Sequence, residues 1–298
     1  MTVLVLGAGG MLGLALCREL AARLPGGARW RRACGGARPR IALPPGLDVA
    51  PHVDALQIDS INAALERFRP HTVINAIGFV KNRGGRDEID LMLAVNGLFP
   101  HQLAERCRAF GARLIHFSSD CVFSGTRGAY RETDPPDAQD VYGHSKALGE
   151  VTSRHALTLR TSMIGLPGFG GRGLLGWFLD RSDPVKGFTN AVFSGPTAPE
   201  LARLVAHIIT ARGPYGGLLH VAAAPIDKFT LLSMLGTAFA RDTEIVPDGA
   251  LRIDRSLRAD RLAARYGYSA PSWPAMVDEL AAEWRSRSRT NTPAHALA

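Results

Sequence analysis

The sequence predicts an α/β fold: a doubly wound parallel sheet with helices on both faces, followed by a smaller C-terminal lobe. Three observations predict it. Through residue 162, short apolar segments alternate with segments of helical spacing, the pattern of successive strand–helix–strand units. The first apolar segment runs straight into a glycine-rich turn and then into a helical segment. Beyond residue 162 the alternation loosens and glycine becomes frequent, which marks a second lobe. Right-handed crossovers then wind the sheet outward in both directions from its first strand.

Element by element, residues 2–6 form the first strand, and residues 11–24 a helix with Leu12, Leu16, Leu20 and Leu24 one turn apart. The second strand is placed at residues 28–33, within a stretch rich in Arg, Gly and Pro. A third strand at 53–58 and a helix at 61–68 follow, then a buried strand at 72–77. Residues 91–110 read as a helix that Pro100 kinks or restarts, because proline cannot donate to the helical ladder. A strand at 114–118, a polar loop, a helix at 141–153 and a strand at 157–160 complete the alternation. In the second lobe, residues 165–176 read as a glycine-rich loop, 201–210 and 230–240 as helices, 218–221 as a strand and 276–284 as a last helix. Residues 286–298 read as a disordered tail.

The chain has 298 residues and a formal net charge of +8. A basic surplus alone decides little about partners. The arginines form no long run interleaved with aromatics, so no nucleic acid is expected. No apolar run reaches the roughly 18 residues of a membrane helix, and Met1 opens directly on strand residues without a basic leader. No membrane contact and a cytoplasmic location are therefore expected. Cys17, Cys34, Cys107 and Cys121 are scattered, without metal spacing, and are read as reduced thiols; no metal is expected.

The glycine-rich turn carries the first chemistry. Gly7, Gly10 and Gly13 stand between strand and helix, where the chain must bend tightly, approach a pyrophosphate and pack helix against strand. The helix opening at Met11 and Leu12 points its free N–H groups and positive dipole end at the phosphates. An acidic residue about 20 positions on would select NAD through the ribose. None occurs between Glu19 and Asp48, and Arg31 and Arg32 lie near the expected end of the second strand. Guanidinium groups there suit a 2′-phosphate, so NADPH is the expected cofactor and NADH the alternative. Asp59 is a candidate acceptor for the adenine amino group or, equally, a helix cap.

The second constellation is Ser119, at the end of the fifth strand, with Tyr142 and Lys146 one helical turn apart. A phenol is a weak acid at an ordinary pKa of about 10. A nearby ammonium and an oxidised nicotinamide favour its phenolate, so Tyr142 can exchange a proton with a carbinol oxygen while a hydride moves at carbon. Ser119 would hydrogen-bond the same oxygen, and Lys146 the nicotinamide ribose.

These segments resemble the extended short-chain dehydrogenases/reductases with a Rossmann fold, and among them the dTDP-4-dehydrorhamnose reductase family. The likeness rests on Gly7 to Gly13, Asn75-Ala76-Ile77-Gly78, Val95-Asn96, Ser118-Ser119-Asp120-Cys121-Val122-Phe123, Tyr142-Gly143-His144-Ser145-Lys146, Leu159-Arg160-Thr161-Ser162, Pro196-Thr197 and Ser256-Leu257. It implies reduction of a 4-keto group on a nucleotide-activated deoxysugar. Ser119, Tyr142 and Lys146 would be the catalytic set, with Ser where the family usually has Thr. Ala76, Ile77 and Gly78 would line the cofactor. Residues 1–162 would bind it, and 163–285 would bind substrate while being able to return strands to the sheet. A homodimer is compatible with the resemblance.

The sequence departs from the family at the substrate side. Cys121 stands where Tyr is frequent and Met163 where Trp is frequent; these two, with Lys81 and Asn190, are the candidate substrate residues. Cys121 also replaces the Glu that a 4,6-dehydratase would use. Two rival readings remain: a 4-epimerase with tightly held NAD, which uses the same three residues, and a non-catalytic NADP-binding sensor. His116 is read as a packed core histidine, Lys81 as a contact for a substrate phosphate, and Trp177 and Phe178 as core.

Overall fold

The structure is a computed structural model. It describes residues 1–24, 29–34, 48–51, 53–80, 86–167 and 173–290. In chain order these form β1 (Thr2–Leu6), α1 (Met11–Arg23), β2 (Arg29–Cys34), β3 (Asp48–Pro51), α2 (Ile58–Phe68), β4 (Thr72–Asn75), α3 (Arg86–Met92), a π-helical turn (Leu93–Leu98), α4 (Phe99–Ala109) and β5 (Arg113–Ser119). A 3₁₀ turn (Asp120–Val122), α5 (Val141–Leu148), β6 (Ala156–Thr161), α6 (Leu174–Leu179), β7 (Val185–Phe188), β8 (Ala191–Phe193), α7 (Ala198–Thr210) and β9 (Gly217–His220) follow. The chain continues through β10 (Ile226–Asp227), α8 (Lys228–Ala238), β11 (Ile245–Asp248), β12 (Ile253–Asp254), α9 (Asp260–Tyr266) and α10 (Trp273–Thr290).

Seven parallel strands make the main sheet, in the order β3-β2-β1-β4-β5-β6-β9. The chain runs outward in both directions from the β1/β4 pair. The carboxyl ends of these strands therefore part there and open a crevice, the place where such sheets bind ligands. One face of the sheet packs on α1 and α7 through Leu16, Leu20, Leu201 and Val205. The other packs on α2 and α4 through Ile61, Leu65, Phe99 and Leu103. The linear boundary at residue 162 is crossed by the fold itself: α7 and β9 lie beyond it and belong to the sheet unit. Two small sheets, β10-β8-β12 and β11-β7, form the second lobe with α6, α8 and α10.

Several expected elements shift, each for a local reason. The third strand is β3 at 48–51, not 53–58. Residues 54–57 are instead a turn in which the Asp54 carboxylate accepts the Leu56 N–H (2.9 Å) and the Asp54 carbonyl accepts the Gln57 N–H (3.1 Å). Such short acidic side chains compete with strand pairing. The long helix expected at 91–110 is two helices joined by a π turn, and α4 restarts with Pro100 in its first turn, where a missing N–H costs nothing. The helix carrying Tyr142 stops at Leu148 rather than 153. At Gly149 a β-carbon would lie 1.8 Å from the Asn96 carbonyl oxygen, so this is a point of backbone contact. Part of the expected loop at 165–176 is α6, which buries Leu175 and Phe178. The last helix reaches Thr290, five residues into the expected tail, with Arg287 paired to Glu283 one turn back; residues 291–298 lie outside the described residues.

Candidate active site

The glycine turn is built for close approach. Gly7 has φ of +78°, and a β-carbon there would lie 2.7 Å from the Ala76 carbonyl oxygen. At Gly13 it would lie 2.2 Å from the Gly7 carbonyl oxygen, which locks α1 against the end of β1. Gly10 is different: its nearest such neighbour is 3.5 Å away, and it caps α1 with no side-chain hydrogen bond. The first N–H groups of α1 thus face outward beneath an open glycine, the donor set a pyrophosphate requires. Leu12 turns into the core, and Met11 lies against Gly165 at the edge of the second lobe.

Beside this turn lies a cleft of about 330 Å³ between Val53-Asp54-Ala55-Leu56 and Ile77-Gly78-Phe79, with Gly7 at its base. Apolar walls with one carboxylate at the rim suit a purine ring with an amino edge. The carboxylate is Asp54. Asp59, expected near the adenine, lies outside this cleft, exposed in the first turn of α2 and near the Asn62 amide. The register explains the miss: with the third strand ending at Pro51, the loop that meets the crevice comes earlier. Arg31 and Arg32 pair with Leu4 and Val5 in mid-sheet, and β2 ends at Cys34, so neither stands at the strand end; their side chains lie outside the described residues.

The loop lining the cleft is held by two buried amides. Asn75 accepts the Ile77 N–H (3.1 Å) and contacts His116 Nδ1 (3.1 Å) through its own Nδ2. Asn96, in the π turn, accepts the Phe79 N–H (2.9 Å) and donates to the Phe79 carbonyl (2.8 Å) and to Ser145 Oγ (3.2 Å). Asn96 thereby ties the cleft to α5. A π bulge re-aims a side chain within a helix, which the spacing of apolar residues does not reveal. His116 is buried, as expected, and burial together with the Lys146 charge holds it neutral.

Ser119, Tyr142 and Lys146 converge at the carboxyl edge of β5. Ser119 ends that strand, and its hydroxyl accepts the Cys121 N–H (3.1 Å). Asp140 caps α5 by accepting the Gly143 N–H (2.7 Å), and at Gly143 a β-carbon would lie 2.2 Å from the Cys121 carbonyl oxygen. This close approach brings the Tyr142 phenol to the Ser119 hydroxyl. Burial raises the phenol above its ordinary range, while Ser119 pulls it back. In the protein alone desolvation thus dominates; the lowering expected of a neighbouring ammonium together with an oxidised nicotinamide concerns the cofactor-loaded site. Lys146 is 5% exposed and donates to the Phe117 carbonyl (2.7 Å); burial lowers it to about 8, with Glu150 acting in the opposite direction.

On the other side of Cys121 is a cavity of about 170 Å³, lined by Asp120, Cys121, Ser162, Val192, Lys228 and Arg255 among others. Cys121 is placed where the sequence puts it. Asn190 is not: it is exposed, and its amide donates to the Gly249 carbonyl (3.0 Å). Val192, two residues on in β8, lines the cavity instead. Met163 packs against the sheet core next to Ser162 rather than facing the cavity. Lys81 lies outside the described residues. Arg160 is bonded to Glu150 and contacts His220, away from the cavity lining. Asp54, Lys228 and Arg255 went unnoticed in the sequence, and Asn96 was noted only as part of a shared segment, with no role. Arg255 stands one residue before the recognised Ser256-Leu257, while Lys228 follows no motif. No described group of His, Cys, Asp and Glu is arranged to hold a metal.

A glycine-cradled crevice at the β1/β4 parting, with a Tyr–Lys helix beside the end of β5, defines the extended short-chain dehydrogenase/reductase class. Within it the chain belongs to the RmlD substrate binding domain family, whose model matches residues 1–285. Among curated relatives, the chain is 32% identical over 168 residues to the spore coat polysaccharide biosynthesis protein SpsK of Bacillus subtilis, covering 54% of this chain and 53% of that one. It thus spans about half the length of that relative. It is 30% identical over 258 residues to the probable low-salt glycan biosynthesis reductase Agl14 of Haloferax volcanii, covering 77% and 82%. Among solved structures, dTDP-4-dehydrorhamnose reductase from Bacillus anthracis in complex with NADP superposes with a TM-score of 0.76 at 20% identity, over 95% of this chain and 98% of that one. That likeness is one of fold.

Proposed function

We propose that the protein is an NADPH-dependent reductase of a 4-keto group on a nucleotide-activated deoxysugar, of the dTDP-4-dehydrorhamnose reductase type. The observation that carries this reading is the meeting of Ser119, Tyr142 and Lys146 at one sheet edge, next to a glycine turn with outward N–H groups. The family membership and the names of the relatives, two in polysaccharide or glycan biosynthesis and one a reductase crystallised with NADP, support it.

NADPH, when bound, supplies the hydride; Gly7, Gly10, Gly13 and the start of α1 would hold its pyrophosphate, and Asp54 with Ile77-Gly78-Phe79 its adenine. The Tyr142 phenol, kept protonated by burial, donates its proton to the carbonyl oxygen as that oxygen becomes a hydroxyl. Ser119 donates a hydrogen bond to the same oxygen, stabilising its developing negative charge. Lys146, one helical turn away, then holds the phenolate left behind. Cys121 takes no part in dehydration: burial raises its thiol to about 11, so it is no base at neutral pH.

The test is NADPH consumption with dTDP-4-dehydrorhamnose and related 4-keto nucleotide sugars, with the product's configuration determined. Purified protein carrying tightly bound NAD and consuming no NADPH would overturn the reading in favour of an epimerase.

A further inference from the structure

Two half-buried cations, Lys228 and Arg255, face the cavity beside Cys121 with no carboxylate at ion-pair distance among the described residues. The Arg255 guanidinium is fixed at one end, donating from Nε to the Phe123 carbonyl (2.9 Å), and its Nη1 reaches Cys121 Sγ (3.5 Å). The small thiol is what admits it; a bulkier side chain at 121 would compete for that volume. Lys228, the first residue of α8, lies with Nζ 4.4 Å from the centroid of the Phe193 ring. Neither cation forms an ion pair with a described carboxylate. The one acidic group lining the cavity is Asp120, which is buried and which both cations influence from a distance.

Buried cations are ordinarily paired, because an unpaired one loses hydration without compensation. Two other withdrawn arginines obey that rule: Arg160 pairs with Glu150, and half-buried Arg203 with Glu200 and Glu279. Two unpaired cations against a single carboxylate leave the cavity short of negative charge. Burial lowers Lys228, as expected for an ammonium awaiting a counter-charge. The guanidinium presents a planar fork suited to a phosphate or carboxylate.

We infer that Lys228 and Arg255 form an oxyanion subsite that receives an acidic group carried by the substrate and so select for it. The inference rests on the nucleotide-sugar reading above. Two sources supply such a group: the diphosphate of the carrier, or a carboxylate on the sugar.

The test is calorimetric titration of the full chain, loaded with NADPH, against thymidine, dTDP-glucose and dTDP-glucuronate, in wild type, Lys228→Met and Arg255→Met. Losing a charge-assisted contact weakens binding about tenfold or more. If both variants weaken the two sugar nucleotides alike and leave thymidine unchanged, the subsite holds the diphosphate. If wild type favours dTDP-glucuronate about tenfold over dTDP-glucose and the variants erase that preference, it holds a carboxylate. Wild-type affinity for both in the variants, with NADPH binding and melting intact, overturns the subsite alone. Wild type that binds NADPH but neither sugar nucleotide overturns the nucleotide-sugar reading and the subsite with it. Lys228 makes no side-chain hydrogen bond among the described residues, so its variant decides the matter should Arg255→Met fail to fold.

Discussion

Two buried cations at the carboxyl edge of the sheet have opposite surroundings. Arg160 is 1% exposed and ion-paired: Nε and Nη2 donate to Glu150 (2.8 and 2.6 Å), Nη1 contacts His220 Nε2 (3.0 Å), and the guanidinium lies 4.9 Å from the Phe123 ring centroid. Ser118 completes the Glu150 oxygens (2.6 Å). Lys146, 5% exposed on the neighbouring helix, has one carbonyl. Arg160 has its charge neutralised by a carboxylate, whereas Lys146 has a single carbonyl and no carboxylate at ion-pair distance among the described residues. The Arg160 cluster clamps β6 to the end of α5 and, through His220 and Tyr130, to the long loop between Ser119 and Tyr142. It ties the two halves of the site together.

The comparison can be broken most sharply at Tyr142. Tyr142→Phe removes the hydroxyl and keeps the ring, and turnover should fall about 10³-fold with NADPH affinity kept; steady-state kinetics with a cofactor titration checks both, and surviving activity would remove Tyr142 from the chemistry. Next in size, Glu150→Ala strands Arg160 as an uncompensated buried charge. It should cost about 3–5 kcal/mol, read as the shift in urea unfolding at pH 7.

Lys146 should behave in reverse. Its folded value of about 8 lies below the ordinary 10.5, so between these pH values the unfolded chain binds more protons. Stability contributed through this group therefore rises with pH across that window, by about 3 kcal/mol in full. Lys146→Met should lose that rise, be more stable than wild type at pH 7, and turn over poorly. Unfolding curves of both proteins at pH 7 and pH 9.5 isolate the lysine, because the buried thiols titrate alike in each. The smallest effect is at the cleft rim: Asp54→Ala should raise the KM for NADPH about fivefold, the size of one hydrogen bond, and leave kcat unchanged. An unchanged KM would move the adenine away from Asp54.

Much of the cofactor half was legible because its determinants are local. The glycine turn, the apolar strands and the Tyr–Lys pair at one helical turn each depend on neighbours a few residues away. Pro100 announced the helix restart for the same reason. Asp59 lies off the cleft because strand ends are set by pairing: β3 takes its register from β2 and runs over 48–51 where 53–58 was expected. Asn190 failed similarly. In a segment of two- and three-residue strands the alternation of sides is too short to read, and a hydrogen bond to Gly249 turned its amide away from the cavity.

The sequence by itself determined the fold class, the glycine cradle and the presence of Ser119, Tyr142 and Lys146, since backbone sterics and helical periodicity act over short spans. Only the tertiary structure decided which charges are satisfied. Glu150 and Arg160 are ten residues apart in the chain, Cys121 and Arg255 are 134 apart, and Asn96 reaches Phe79 through a π turn. Whether a buried cation finds a carboxylate or is left facing a cavity depends on desolvation and on distant partners, and neither can be read from spacing along a chain.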